Sequence, residues 1–264
     1  MKRRHLIAAG LLATTMAAVG AAVGARAAEE PVVAVAANMK FAIEAIGAKF
    51  AAETGKSVKF AFGASGNFAR QIEQGAPFEL FLSADEESVF RVADKGLTQD
   101  RGALYAIGRL VLFVPKDSPL KADAGLADLR TALGDGRLKR FAVANPDIAH
   151  YGKAAKQVLQ KQGLWDGIKP MLVLGENVGQ TGQFAISGSV QAAMLPYSLA
   201  LAPELAARGN SVLLPAEWHD PLRQRMVLLK KADATAKQFY AYMRAPAARA
   251  ILTQFGYGAP DTSE

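Results

Sequence analysis

The chain has 264 residues, 51% of them hydrophobic, which suffices for one large domain or two small ones with a sizeable core. It contains no cysteine, which excludes a disulfide framework, a thiolate metal site and a cysteine nucleophile. Its net charge is +7, yet no basic run with interleaved aromatics suggests nucleic acid as a partner.

Much of that charge sits at the amino terminus. Lys2, Arg3 and Arg4 form a positive head, an apolar run extends from Leu6 to about Val23, and Ala25-Arg26-Ala27 follows. This is the pattern of a secretory signal peptide over residues 1–27, cut near Ala27. The run is too rich in Ala and Gly for a membrane span. Arg3-Arg4 fits either an ordinary basic head or the twin-arginine route. Cleavage takes four positive charges (Lys2, Arg3, Arg4, Arg26) and no acidic residue from the +7 chain, leaving +3.

Val32 to Ala36 reads as a short buried strand. Phe41, Ala45, Ala48 and Phe50 recur at helical spacing, and Gly55 closes that helix. Val58 to Phe62 is the next strand, followed by Gly63-Ala64-Ser65-Gly66 and a helix from about Phe68 to Gln74. Phe78 to Leu82 is a third strand, with a helix over about 86–95. This rhythm predicts βαβ units and a mainly parallel sheet. Ala103 to Val114, with Gly108 near its middle, reads as one long strand crossing to a second lobe. There the rhythm restarts: a strand at Phe141–Ala144, a helix over 153–162, a strand at Met171–Leu174, a helix over about 179–187 and a strand at Val190–Leu195. Arg225 to Leu229 reads as a return strand, and helices over about 233–244 and 246–255 close the chain. The predicted division is therefore 28–108 with 221–264 in the first lobe and 109–220 in the second.

In open α/β sheets, ligands sit beyond the carboxyl ends of the strands. Four strand-to-helix junctions carry small or hydrogen-bonding residues: Ala36-Ala37-Asn38, Gly63-Ala64-Ser65-Gly66, His150-Tyr151-Gly152 and Asn177-Val178-Gly179. A helix N-terminus offers unpaired N–H groups and partial positive charge, so it suits an anion without Lys or Arg. Taken singly, each junction reads as an ordinary cap before it reads as a ligand contact, and Asn38 fits an N-cap. Asp85-Glu86-Glu87 reads as a helix cap and dipole partner. His150 and His219 lie far apart with no metal-ligand spacing. No GxSxG elbow and no Walker loop is present.

The segments AAN after the first strand, FGASGNFARQIEQGAPFELFLSADE, NPDIAHYGKAA, GENVGQ and the late FYAYMRAPAARAILTQFGY occur in this order between residues 31 and 257. Together they resemble the molybdate-binding subunits of ABC importers. The resemblance implies a type II periplasmic-binding fold, α/β in class, with ligand held in a cleft between two α/β lobes. It also implies the oxyanion contacts: Asn38 with the Ala37 backbone beside it, the Ser65 hydroxyl, and the backbone N–H groups of Tyr151 and Val178. Many members carry Ser where this chain has Asn38, and a Tyr where it has Pro196, with Tyr197 adjacent. A subset uses Asn and lacks that Tyr, and this chain is similar to the subset. The implied protein is a periplasmic monomer with no cofactor and no catalytic residue. Its partners are molybdate or tungstate (molybdenum entering only within the oxyanion) and a membrane permease, with no nucleic acid. Binding of another oxyanion such as sulfate or phosphate is the alternative, and a periplasmic enzyme a more distant one.

Overall fold

The computed structural model describes residues 30–260, so the expected signal peptide lies outside the described residues. No helix among the described residues is long and apolar enough to cross a membrane. The chain forms two α/β lobes, each built on a five-stranded sheet.

The first lobe opens with β1 (Val32–Ala36), a one-turn 3-10 helix at Ala37–Met39 and α1 (Lys40–Thr54), followed by β2 (Lys59–Gly63), α2 (Ser65–Glu73), β3 (Leu80–Leu82), α3 (Glu86–Asp94) and β4 (Ala103–Ile107). The second lobe contains β5 (Leu110–Pro115), α4 (Ala127–Gly134), β6 (Phe141–Ala144), α5 (His150–Lys161), α6 (Trp165–Ile168), β7 (Leu172–Gly175), α7 (Val178–Ile186), β8 (Ala192–Pro196), α8 (Tyr197–Ala200), α9 (Pro203–Ala206) and β9 (Gly209–Leu213). The chain then returns to the first sheet through β10 (Arg223–Leu228), and α10 (Ala234–Tyr242) and α11 (Pro246–Gln254) complete it.

The sheet orders are β2-β1-β3-β10-β4 and β7-β6-β8-β5-β9. Each has three parallel strands followed by an antiparallel one. Strands covered on both faces read as continuous apolar runs rather than alternations. Val33 and Val35 feed one core with Ile43, Ile46 and Phe50 of α1 and Phe239 of α10. Ala34, between them, feeds another with Phe68 and Ala69 of α2 and Val89 and Val92 of α3. The second lobe repeats the scheme, with Leu110 and Leu112 turned to one core and Val111 and Phe113 to another.

The crossing between lobes differs from the expected single strand. It breaks at Gly108-Arg109 into β4 and β5, which belong to different sheets. The physical reason is crowding. A Cβ on Gly108 would lie 2.1 Å from the Tyr151 hydroxyl and 2.7 Å from Gln224 Nε2. The Gly108 N–H meanwhile donates to Leu222 O on the return segment at 2.8 Å, so both inter-lobe segments are joined there. Elements that sequence periodicity did not reveal are α4, the single-turn helices α6, α8 and α9, and β9. Gly108→Ala should force apart Tyr151 and Gln224 and destabilise the fold by about 1–3 kcal/mol, seen as a lower midpoint in urea unfolding. An unchanged midpoint would show that the contact yields freely.

Candidate functional site

The carboxyl ends of β1, β2, β6 and β7 point at one another across the interface. Each feeds a helix whose first turn meets a shared cavity lined by Ala36, Ala37, Asn38, Gly63, Ala64, Ser65, Ala84, Ala149, His150, Tyr151, Asn177 and Val178. In both sheets the central strands here, β1 and β6, have their successors on one side and the third parallel strand on the other. That is the switch point where such sheets bind ligands. The cavity is tight: the centre of a water-sized sphere explores only about 10 Å³. A space on that scale suits one water molecule or, with slight parting of the lobes, one small ion. The lobes touch directly at its rim, where the Gly66 N–H donates to Ile148 O at 3.2 Å.

The local sequence leaves donors unspent. The N-cap positions before the Ala37–Met39 turn, α2 and α5 are Ala36, Ala64 and Ala149, and none supplies a side-chain cap. Alanine there forgoes about 1 kcal/mol that Ser, Thr, Asp or Asn would contribute. Asp85 and Asp233 cap α3 and α10, and α3 starts beside the cavity, where Ala84 lines the wall. Asn177 caps α7, but it accepts from the Gln180 N–H at 3.1 Å. The N–H groups of Ser65, Tyr151 and Val178 lie in first turns, which have no acceptor within their own helix. Ser65 Oγ accepts the Ala84 N–H at 2.9 Å, leaving its own proton for the cavity.

Asn38 is 1% exposed. Its Nδ2 donates to Gln224 Oε1 at 3.0 Å and to the Tyr257 hydroxyl at 2.8 Å. Asn38 Oδ1 is the one buried side-chain polar atom among the described residues with no hydrogen-bond partner. The backbone oxygen of Asn38 accepts from the Ser198 hydroxyl at 3.0 Å across the lobes.

No Lys or Arg lines the cavity. His150 is held below its ordinary value of 6.5, chiefly by burial and further by Lys153, while Asp85, Glu87 and Asp220 oppose the shift. Burial pushes the Tyr105, Tyr151 and Tyr257 hydroxyls upward, so they stay neutral. Among the described residues no group of three His, Asp or Glu side chains could hold a metal ion. The site is a neutral nest of N–H and O–H donors.

The family model of bacterial extracellular solute-binding proteins matches residues 31–258. The chain belongs to this family. It is 37% identical over 234 residues to the molybdate-binding protein ModA of Rhodobacter capsulatus, covering 88% of this chain and 89% of the relative. It is 34% identical over 252 residues to ModA of Azotobacter vinelandii, covering 94% and 98%. The solved periplasmic molybdate-binding protein of Azotobacter vinelandii superimposes with a TM-score of 0.78 at 31% identity, over 88% of this chain and all of that one.

Within this solute-binding chain, the structure brings Ala37, Asn38, Ser65, Tyr151 and Val178 together on the cavity wall. Asn38 does not act as an N-cap; the cap of its turn is Ala36. Helix α2 starts at Ser65 rather than near Phe68, so Ser65 and Gly66 belong to its first turn. Tyr197 is half-buried against Gly256, whose added Cβ would meet its ring at 2.5 Å, and is not part of the wall. Sequence reading missed Gln224, Tyr105, Tyr257 and Ser198. The signal for Gln224 was alternation in β10, where Arg223 and Arg225 are half-exposed and Gln224 and Met226 are buried.

The depressed pKa of His150 has a signed consequence. The unfolded chain protonates at its ordinary 6.5 while the native state resists, so stability falls as pH drops through that value and levels off below the native titration point. His150→Gln should flatten this part of the urea-stability profile between about pH 7 and 5. A variant retaining the full slope would assign it to another group.

Proposed function

We propose that this chain is exported to the periplasm, captures a single molybdate or tungstate ion between its lobes, and hands it to the membrane permease of an ABC importer. The observation that carries the reading is the cavity itself. With slight parting of the lobes it takes one small ion, its donors come from helix N-termini and Ser65, Asn38 lies buried in its wall, and no Lys or Arg lines it. Sugars, peptides and amino acids are too large for such a space. Two relatives similar over most of the chain are named as molybdate-binding, which supports the choice of ligand.

On this reading, Asn38 with the Ala37 backbone, the Ser65 hydroxyl and the N–H groups of Tyr151 and Val178 contact the oxyanion. Hydrogen bonds to a charged partner contribute about 1.5–3 kcal/mol each, so a handful accounts for micromolar or tighter affinity, about −8 kcal/mol. Residues 1–27 act as the signal peptide. Residues 28–108 with 221–264 and residues 109–220 move as the two lobes about the Gly108-Arg109 crossing. The protein works as a monomer, takes no cofactor, catalyses no reaction and engages no nucleic acid. Molybdate, tungstate and sulfate are all tetrahedral dianions near neutral pH. A nest of fixed neutral donors therefore separates them by size, and molybdate and tungstate fall together.

Native mass spectrometry of the protein exposed to molybdate, tungstate, sulfate and phosphate at equal concentration should show a single molybdate or tungstate adduct. A sulfate or phosphate adduct in its place would overturn the choice of ligand. By calorimetry, Asn38→Asp should weaken molybdate binding by about 100-fold or more, because a donor becomes a like charge against the dianion (about 2.7 kcal/mol at that ratio). Unchanged affinity would remove Asn38 from the site.

A further inference from the structure

Asn38 Oδ1 is buried without a partner in a wall otherwise made of donors. Its Nδ2, the group an anion needs, is spent on Gln224 Oε1 and the Tyr257 hydroxyl. The key to this arrangement is Gln224, which is fully buried on β10. Its Nε2 donates to the Tyr151 hydroxyl at 3.0 Å, and its Oε1 lies 3.0 Å from the Tyr105 hydroxyl. Tyr105 reaches it through an irregularity in the ladder. Gln224 pairs with Ala106 and Arg225 with Leu104, so Tyr105 is skipped, and such a bulge re-aims a side chain.

Counting protons shows that this orientation is imbalanced. The Tyr105 hydroxyl has one proton for two acceptors, Ser83 O and Gln224 Oε1, each at 3.0 Å. The Tyr151 hydroxyl accepts from Gln224 Nε2, while its own proton finds no acceptor among these groups. Turning both amides over by 180° leaves the heavy-atom positions in place and corrects the Tyr105 and Tyr151 points. Gln224 Nε2 then donates to Asn38 Oδ1 and to Tyr105, and the Tyr105 proton goes to Ser83 O. Gln224 Oε1 accepts from Tyr151, and Asn38 Oδ1 also accepts from Tyr257. The Ser198 proton stays on Asn38 O, and the cost of the turned state is a Tyr257 oxygen that faces Asn38 O at 2.9 Å and Ser198 Oγ at 3.0 Å with no proton between them. One amide cannot turn alone, since oxygen would face oxygen, or nitrogen face nitrogen, at 3.0 Å.

We propose that Gln224 is the positioning residue of the site: Asn38 and Gln224 turn over as a pair, and the turned pair presents the Asn38 NH2 group to the bound oxyanion. This deepens the oxyanion-binding reading and rests on it. Anion binding selects the turned state because only that state replaces the Asn38 oxygen in the wall with protons. Both states are neutral, so the change moves no charge into the buried interior.

The test uses the full mature protein, isotopically labelled, with molybdate as probe. Calorimetry on the wild type comes first. With molybdate bound, the Gln224 side-chain amide protons should show NOEs to the Tyr105 ring, and the Asn38 amide signals should shift on titration. Gln224→Glu, which can only accept at neutral pH, should weaken molybdate binding by about 100-fold and abolish the Asn38 shift. Gln224→Met, neutral and of similar length, should weaken it less, and it serves if the Glu variant fails to fold. If the wild type binds molybdate but the Gln224 amide protons stay against Tyr151, or if both variants bind as wild type, the inference falls while the ligand reading stands. A wild type that binds no molybdate refutes the ligand reading, and this inference with it.

Discussion

The structure turns on backbone N–H groups that lack an acceptor. Where β1, β2 and β6 end, the following helical turns begin after Ala36, Ala64 and Ala149, residues that cannot cap. Each omission costs about 1 kcal/mol of helix stability. The same chain places Asp85, Asn177 and Asp233 as caps on α3, α7 and α10, while α4 and α11 also start without a side-chain cap. What sets the turns after Ala36, Ala64 and Ala149 apart is that all three open on the same cavity. In the proposed function, an oxyanion entering there is a common cap for helices of both lobes. Its charge is met by dipoles and hydrogen bonds that are already oriented.

The absence of cations from the wall follows from the same constraint. A Lys or Arg would add attraction, but it would also bring a desolvation penalty in a closed cavity of this size and would neutralise smaller monoanions equally well. Fixed neutral donors recognise number and geometry of oxygens instead. Burial keeps His150 uncharged and the three tyrosines protonated. The site therefore keeps one electrostatic character around neutral pH.

Much of this was legible in the sequence because it is local. The five apolar residues of β1 end where Ala37-Asn38 begin, and β3 passes into Ser83-Ala84-Asp85 in the same way. Periodicity places both. Gly108 was visible as an oddity, but its purpose was not: the crowding comes from Tyr151 and Gln224, which are distant in sequence. Ser65 looked like a loop residue because Gly63 and Gly66 flank it, yet the Ala84 N–H anchors its hydroxyl and the helix starts on it. The family resemblance supplied Ala37, Asn38, Ser65, Tyr151 and Val178, which line one cavity. It did not supply Gln224, Tyr105, Tyr257 or Ser198, because their roles are hydrogen bonds spanning 59 to 219 positions, and no local pattern encodes such pairings.

Those long-range bonds also join recognition to lobe closure. Asn38, Tyr105, Gln224 and Tyr257 belong to the first lobe, while Tyr151 and Ser198 belong to the second and reach the network only when the lobes meet. Every side chain in it is an amide or a hydroxyl, groups that both donate and accept. Such a network reverses its direction without creating a charge, and the donors it frees are those of the Asn38 amide. A carboxylate at position 224 would lock it in the accepting sense, and a lysine would lock it in the donating sense and add a buried charge. An apolar residue would detach Asn38 from Tyr151 altogether. Glutamine alone lets the second lobe's hydroxyl, the bulged Tyr105 and the ligand-facing amide of Asn38 share one consistent arrangement of protons, so the closing of the lobes and the polarity of the cavity wall become one event.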